Sequence, residues 1–162
     1  MSDVFSSYIN DDTINCIVIT GSGDKSFVAG ADIAEMENFT PSEAAEYSNR
    51  GINLFNRIET YTKPVIAAID GYALGGGCEL SLSCHIRYAS EKSLIGLPEV
   101  TLGLIPGYGG TQRLRNLVGL GKACELIFSK KYVSASKASN FPELGISSNF
   151  RCFNQVGFNP PP

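Results

Sequence analysis

Apolar residues in this chain fall in short unbroken runs closed by glycine, separated by stretches of helical period. Asn15 to Thr20 (NCIVIT) is the first such run and ends at Gly21-Ser22-Gly23-Asp24, the pattern of a buried strand followed by a turn. Pro64 to Ile69 (PVIAAI) predicts a second strand, Ile86 to Ala89 a third and Ser93 to Leu97 a fourth. Between the first two, Ala44, Tyr47, Gly51, Leu54, Phe55 and Ile58 recur on one face of a helix. Thr40-Pro41-Ser42-Glu43 opens that helix with a capping threonine, a proline suited to the first helical position and a glutamate that completes a capping box. Pro64 closes it, because the residue before a proline avoids the helical region. The segment Phe27 to Asp32 reads as a tight bend of small residues, with a short helix around Ile33 to Met36 after it. Asp70 to Leu74 leads into Gly75-Gly76-Gly77, and Glu79 to Cys84 (ELSLSC) then reads as a buried helix. Gly110 to Val118 and Lys122 to Phe128 predict two more helices parted by Gly119-Leu120-Gly121. Strands alternating with helices imply an α/β fold with crossover connections. From about Phe141 the period is lost, so residues 1–140 read as the folded unit and 141–162 as an irregular or disordered tail.

Composition narrows this picture. A chain of 162 residues, 43% hydrophobic and 18% charged, suits one globular domain with a real core. A net charge of -3 excludes the basic surface that tracking a nucleic-acid backbone requires. No apolar run approaches the roughly 18 residues that span a membrane, and the polar, acidic start is unlike a secretory signal. Cys16, Cys78, Cys84, Cys124 and Cys152 are scattered, odd in number and form no CxxC pair, which reads as reduced thiols in a reducing compartment, the cytoplasm. With one histidine, His85, and that cysteine spacing, no metal site is expected.

The chemistry concentrates at Gly75-Gly76-Gly77-Cys78-Glu79 and at Pro98-Glu99. A glycine run between a strand and a helix is by itself an ordinary tight turn. No Lys-Ser/Thr pair follows it, so it is no P-loop, and Gly71 to Gly76 makes no GxGxxG fingerprint. Its neighbours give it more weight. A helix N-terminus presents unpaired amides and the positive end of a dipole, both suited to a developing negative charge. Glu79 sits in that first turn among residues that look buried, and a buried carboxylate without a cation has its proton affinity raised. Glu99 lies between Pro98 and Val100 in a segment nearly free of other charge. Exposed amides with two sequestered carboxylates are parts for holding an oxyanion and moving protons. The Phe27 to Asp32 bend matters only if its amides face the same cavity as Gly76. His85 reads as structural, with no serine or cysteine arranged as a triad around it.

The segments SFVAGADIAEM, KPVIAAIDGYALGGGCELSLSC, IGLPEVTLGLIPGYGGTQRL and VGLGKACELI, ordered as they stand between about Asn15 and Asn140, resemble the crotonase superfamily, and enoyl-CoA hydratases in particular. The resemblance implies a spiral of ββα units, incomplete in this chain, and trimers or paired trimers. It implies hydration of a 2-enoyl-CoA thioester to the 3-hydroxyacyl-CoA in fatty-acid β-oxidation, with no cofactor beyond the coenzyme A carried by the substrate. Glu79 and Glu99 would be the acid/base pair, and the amides of Ala31 and Gly76 the oxyanion hole. Asp32, Ile33 and Ala34 would help hold the adenosine end of coenzyme A, and Gly107 would lie beside the reacting carbons. The alternatives within this resemblance are an enoyl-CoA isomerase, or an inactive remnant that binds acyl-CoA.

The chain departs from the family pattern in three ways. The usual N-terminal strands are not found ahead of Asn15. After Asn140 neither the Gly-Leu-Val strand nor the C-terminal helical segment follows. His85 stands where the family has aspartate. The expectation is therefore a truncated or frameshifted member.

Overall fold

The computed structural model describes residues 1–23, 25–30, 33–140 and 142–147. The chain opens with α1 (Ser2–Tyr8), then alternates strands between two sheets. β1 (Ile17–Thr20) and β2 (Ser26–Val28) lead to α2 (Ile33–Met36) and α3 (Pro41–Glu59). β3 (Val65–Ile69) and β4 (Tyr72–Leu74) lead to α4 (Gly76–Ser83). β5 (Ile86–Ala89) and β6 (Leu94–Gly96) lead through a 3-10 turn (Glu99–Leu102) to α5 (Gly110–Val118) and α6 (Leu120–Phe128). β7 (Val133–Ser134), two further 3-10 turns and β8 (Ile146–Ser147) complete it.

Each turn of this spiral places one strand in each sheet. The first sheet has the order β1-β3-β5-β8 and the second β2-β4-β6-β7. The first is parallel throughout, with Val18 beside Ile66, Ile66 beside Ile86 and Arg87 beside Ile146. In the second, β7 alone runs antiparallel, against β6. A spiral of ββα units is thus the observed architecture.

The long helix follows its sequence pattern closely. Thr40 Oγ1 accepts from the amide of Glu43, and the Glu43 carboxylate accepts from the amide of Thr40, so the capping box is formed at both ends. Its apolar stripe buries Phe55 and Ile58 at the C-terminal half, while Ala44 at the other end stays exposed. Helix α4 is different in kind. Gly77, Cys78, Glu79, Leu80, Ser81, Leu82 and Ser83 are all buried, so it has no solvent face to give it a period. Its second residue must be glycine: a Cβ on Gly77 would lie 1.9 Å from the carbonyl oxygen of Val28, because β2 crosses the helix there.

Three differences from the sequence reading stand out. Phe27 belongs to strand β2, which pairs with β4, and Asp70 to Leu74 contains that second strand rather than a plain connection. Runs of three residues beside glycines are too short to show an alternation. At the start, Phe5 is buried, packs edge-on against Tyr61 at 5.0 Å and gives its carbonyl to the Tyr61 hydroxyl at 2.8 Å, so the polar N-terminal stretch is a docked helix. At the end, residues 142–147 are not irregular. Pro142–Leu144 is a 3-10 turn, and Ile146–Ser147 adds a strand to β5, although no Gly-Leu-Val pattern marks it in the sequence. Buried Arg87 anchors this segment, donating from Nε to the Leu144 carbonyl (2.9 Å) and from Nη1 to the Ser81 (3.2 Å) and Cys84 (2.6 Å) carbonyls at the end of α4. The remainder of the sequence-defined tail, and Cys152 with it, lies outside the described residues.

Candidate active site

The glycine run works as a corner. Gly75 ends the extended segment with φ at 54°, a left-handed value, and α4 begins at once with Gly76. The first amides of that helix have no carbonyl partner within it, and Gly76 is only half-buried. A Cβ on Gly75 would stand 3.4 Å from Oε1 of Glu99 and 3.8 Å from the Cα of Gly30. The bend before α2 and the glycine run therefore meet at one point, with a carboxylate over it. Ala31 and Asp32 lie outside the described residues; Ile33 and Ala34 form the first turn of α2.

Glu79 is 1% exposed. Its Oε1 accepts two amide hydrogen bonds from a single loop, from Tyr108 at 2.8 Å and from Gly110 at 2.7 Å. Gly110 has to be glycine, since a Cβ there would fall 2.7 Å from Cγ and 2.8 Å from Oε1 of Glu79. Burial pushes the Glu79 carboxyl above the usual carboxylate range; the amides of Gly110 and Tyr108, and then the Arg113 guanidinium, pull it back. The loop itself is held from outside. Ser48 Oγ on α3 donates to the Gly107 carbonyl, and the Tyr108 ring packs edge-on against Phe55 at 5.5 Å.

Glu99 starts the 3-10 turn after Pro98. Both its oxygens are buried, and among the described residues neither finds a partner beyond its own backbone amide. Burial first, and the nearby charge of Glu79 as well, raise its carboxyl to about 7. The two carboxylates thus differ in environment: one is gripped by N–H donors, the other is left without them. Environments of that kind push paired carboxyls toward different protonation states. Beyond Tyr108 lies an open groove of about 370 Å³, lined by Glu35, Tyr47, Arg50, Gly51, Leu54 and Phe55.

His85 is structural, in line with the sequence reading. Its Nδ1 accepts from the amide of Val65 at 2.9 Å and its Nε2 faces the Glu59 carbonyl at 3.2 Å, so it stitches the end of α3 to β3. Cys78 is buried beside Glu79 and Glu99, and its thiol is pushed far up by burial, which removes it as a nucleophile. Cys16, Cys84 and Cys124 are also free thiols. Among the described residues no group of three His, Cys, Asp or Glu side chains is arranged to hold a metal ion, and no helix is long and apolar enough to cross a membrane. Sequence reasoning assigned nothing to Arg113, Asn56 or Ser48. The available signal was Arg113 itself, a charge on the same face of α5 as Gly110 and Leu114.

This arrangement has relatives. The family model described as enoyl-CoA hydratase/isomerase matches residues 1–156. A short-chain-enoyl-CoA hydratase of Clostridium acetobutylicum is 49% identical over 138 residues, covering 85% of this chain and 53% of that protein. A crotonyl-CoA hydratase of Syntrophomonas wolfei is 52% identical over 131 residues, covering 80% and 50%. The crystal structure of an enoyl-CoA hydratase from Bacillus anthracis superposes with a TM-score of 0.84 at 38% identity, over 90% of this chain and 56% of that one. The chain spans about half the length of the curated relatives it matches.

Proposed function

Since the chain belongs to the enoyl-CoA hydratase/isomerase family, we propose that it carries the catalytic face of a hydratase that adds water across the double bond of a 2-enoyl-CoA thioester in β-oxidation. The observation that carries this reading is the pair of buried carboxylates at one helix N-terminus. Glu79 is held by two amides and Glu99 has no such donors. Two carboxylates favour a hydratase over an isomerase, which moves one proton and needs one such group.

The chemistry follows from those environments. Glu79, whose Oε1 is fixed by the amides of Tyr108 and Gly110, orients water and takes its proton as the hydroxyl adds to the β-carbon. The electron pair of the double bond moves toward the thioester oxygen. The first amide of α4, at Gly76, and the amide of Ala31 receive that charge; each such donor is worth about 3 kcal/mol in comparable sites. Glu99, its carboxyl raised to about 7, supplies the proton to the α-carbon. Return of one proton from Glu79 to Glu99 resets the site. The groove beside Tyr108, with Leu54 and Phe55 in its wall, suits a short or medium acyl chain. Gly107, exposed at the start of the Glu79 loop, would border the reacting carbons. The backbone of Asp32, Ile33 and Ala34 would take the adenosine end of coenzyme A, with no separate cofactor required. Exposed Leu104, Ile105, Leu120 and Phe128 support self-assembly, as trimers or pairs of trimers. The free thiols support a reducing, cytoplasmic setting.

Hydration of crotonyl-CoA, followed by loss of the conjugated absorbance, tests the reading. Turnover is expected, with Glu79→Gln and Glu99→Gln each lowering kcat by about 10²- to 10⁴-fold. Turnover that survives both substitutions overturns the two-glutamate mechanism. A folded chain that binds acyl-CoA without turnover identifies a non-catalytic remnant.

A further inference from the structure

Arg113 lies one turn beyond Gly110 on α5 and is 6% exposed. Its donors reach three places. Nε binds Oε2 of Glu59 at 2.9 Å and Nη2 binds Oδ1 of Asn56 at 2.6 Å, both on α3. Nη1 binds the carbonyl oxygen of Tyr108 at 2.7 Å. That third contact falls within the loop that holds Glu79.

The loop can be followed peptide by peptide. The peptide joining Gly107 to Tyr108 gives its N–H to Glu79 Oε1 and its carbonyl to Ser48. The next peptide, from Tyr108 to Gly109, gives its carbonyl to Arg113. The third, from Gly109 to Gly110, again gives its N–H to Glu79 Oε1. Arg113 thus holds the middle one of three consecutive peptides whose outer two converge on one carboxylate oxygen. The loop closes onto the guanidinium through Gly109, whose φ is 92° and where a Cβ would lie 2.6 Å from Nη1. Two glycines in three residues leave such a loop many other conformations, so something outside it must select this one.

We infer that Arg113 is a positioning residue for Glu79, fixing the Tyr108–Gly110 loop against α3 so that two amides meet the same carboxylate oxygen. It does so without touching Glu79. The inference rests on the proposed role of Glu79 as the proton-handling group. Its rivals are a plain rivet between α3 and α5, or a distant charge acting on Glu79 through space. The groups around Glu79 that also titrate or carry charge are Glu99 from the 3-10 turn, Cys78 on its own helix, Tyr108 in the loop and Arg113, with Glu59 behind Arg113.

A titration of the full chain without substrate separates these. Glutamate labelled at the carboxyl carbon reports ionisation of Glu79, assigned with Glu79→Gln, and the Tyr108 and Gly110 amide resonances report the loop. In the parent chain both amides should shift with the Glu79 titration. In Arg113→Met that coupling should be lost and the Glu79 titration should move to higher pH. Arg113→Lys keeps the charge but cannot reach three acceptors, so it should lose the amide coupling as the Met variant does, with a smaller move of the Glu79 titration. A Lys variant that matches the parent shows a charge effect only, and a Met variant with intact coupling shows a rivet; either overturns the inference. Should Arg113→Met not fold, Asn56→Ala and Glu59→Ala each remove one anchor from the solvent side of α3. Both should weaken the same coupling, and two parental titrations would overturn the inference. Because no substrate is present, absence of hydration activity bears on the proposed function alone.

Discussion

At the scale of single residues, the two carboxylates are both raised by burial but differ in the donors that reach them. Glu99 has its carboxylate buried with no donor but its own backbone amide among the described residues, and its carboxyl is raised to about 7 from an ordinary 4.5. The folded chain therefore binds that proton more tightly than the unfolded chain does. The sign of the linkage follows: stability contributed by this group is greatest at low pH and falls as pH rises from about 4.5 through about 7. Glu99→Gln removes the dependence. Its urea midpoint is expected to exceed the parent's well above pH 7 and to match it in acid; parallel curves would contradict the burial of an unpaired carboxyl. Gly110→Ala is the steric counterpart. The added methyl would meet Glu79 at 2.7 Å, so the carboxylate has to leave its amides. Overpacking of this kind costs about 1–3 kcal/mol, measurable as a lowered urea midpoint, and crotonyl-CoA hydration should fall with it. The sequestered setting of Glu79 and Glu99 was legible from residue type and neighbours. Arg113 was not, because its importance depends on a loop and a helix that come together only in three dimensions.

Elements were legible in proportion to how far their environment repeats along the chain. Helix α3 has a solvent face and a core face over nineteen residues, so its period, its cap and its end could all be read. Thr40→Ala removes the side-chain half of its capping box and is expected to lower stability by about 1 kcal/mol in urea denaturation; α3 should shorten at its N-terminus without disturbing Phe55 or Ile58 at the other end. The runs that became β1 and β3 were legible as short apolar stretches bounded by turn or proline signals, and β5 as an apolar-rich one, even though Val18 of β1 and Ile86 of β5 stay exposed. The second sheet was harder. Its strands are two or three residues long, and β2 and β4 each border glycines that signal turns. What makes them strands is the neighbour each pairs with. Helix α1 was missed for a related reason: its one deeply buried side chain, Phe5, gives no period, and its docking depends on Tyr61 and on Lys63, which bonds the carbonyls of Tyr8 and Asp11.

At the scale of the whole molecule, the spiral closes on itself through Arg87. This cation is buried and, among the described residues, has no carboxylate bonded to it; it is satisfied by carbonyls from the end of α4 and from Leu144. Arg87→Met should free residues 142–147 from β5, seen as rapid amide exchange at Ile146 while the amides of β3 stay protected. Stability should fall as well, by about 1–3 kcal/mol for each carbonyl left buried and unbonded. Retained protection at Ile146 would show that strand pairing with β5 suffices. The sequence by itself determined the α/β alternation, the long capped helix, the buried helix after the glycine run and the two carboxylates, because each depends on local period or on residue chemistry. Only the tertiary structure decided which amides grip Glu79, why Glu99 stays without donors, and that a stretch read as tail supplies a strand. Those facts turn on contacts between segments far apart in the chain, where packing and desolvation act and no local pattern records them.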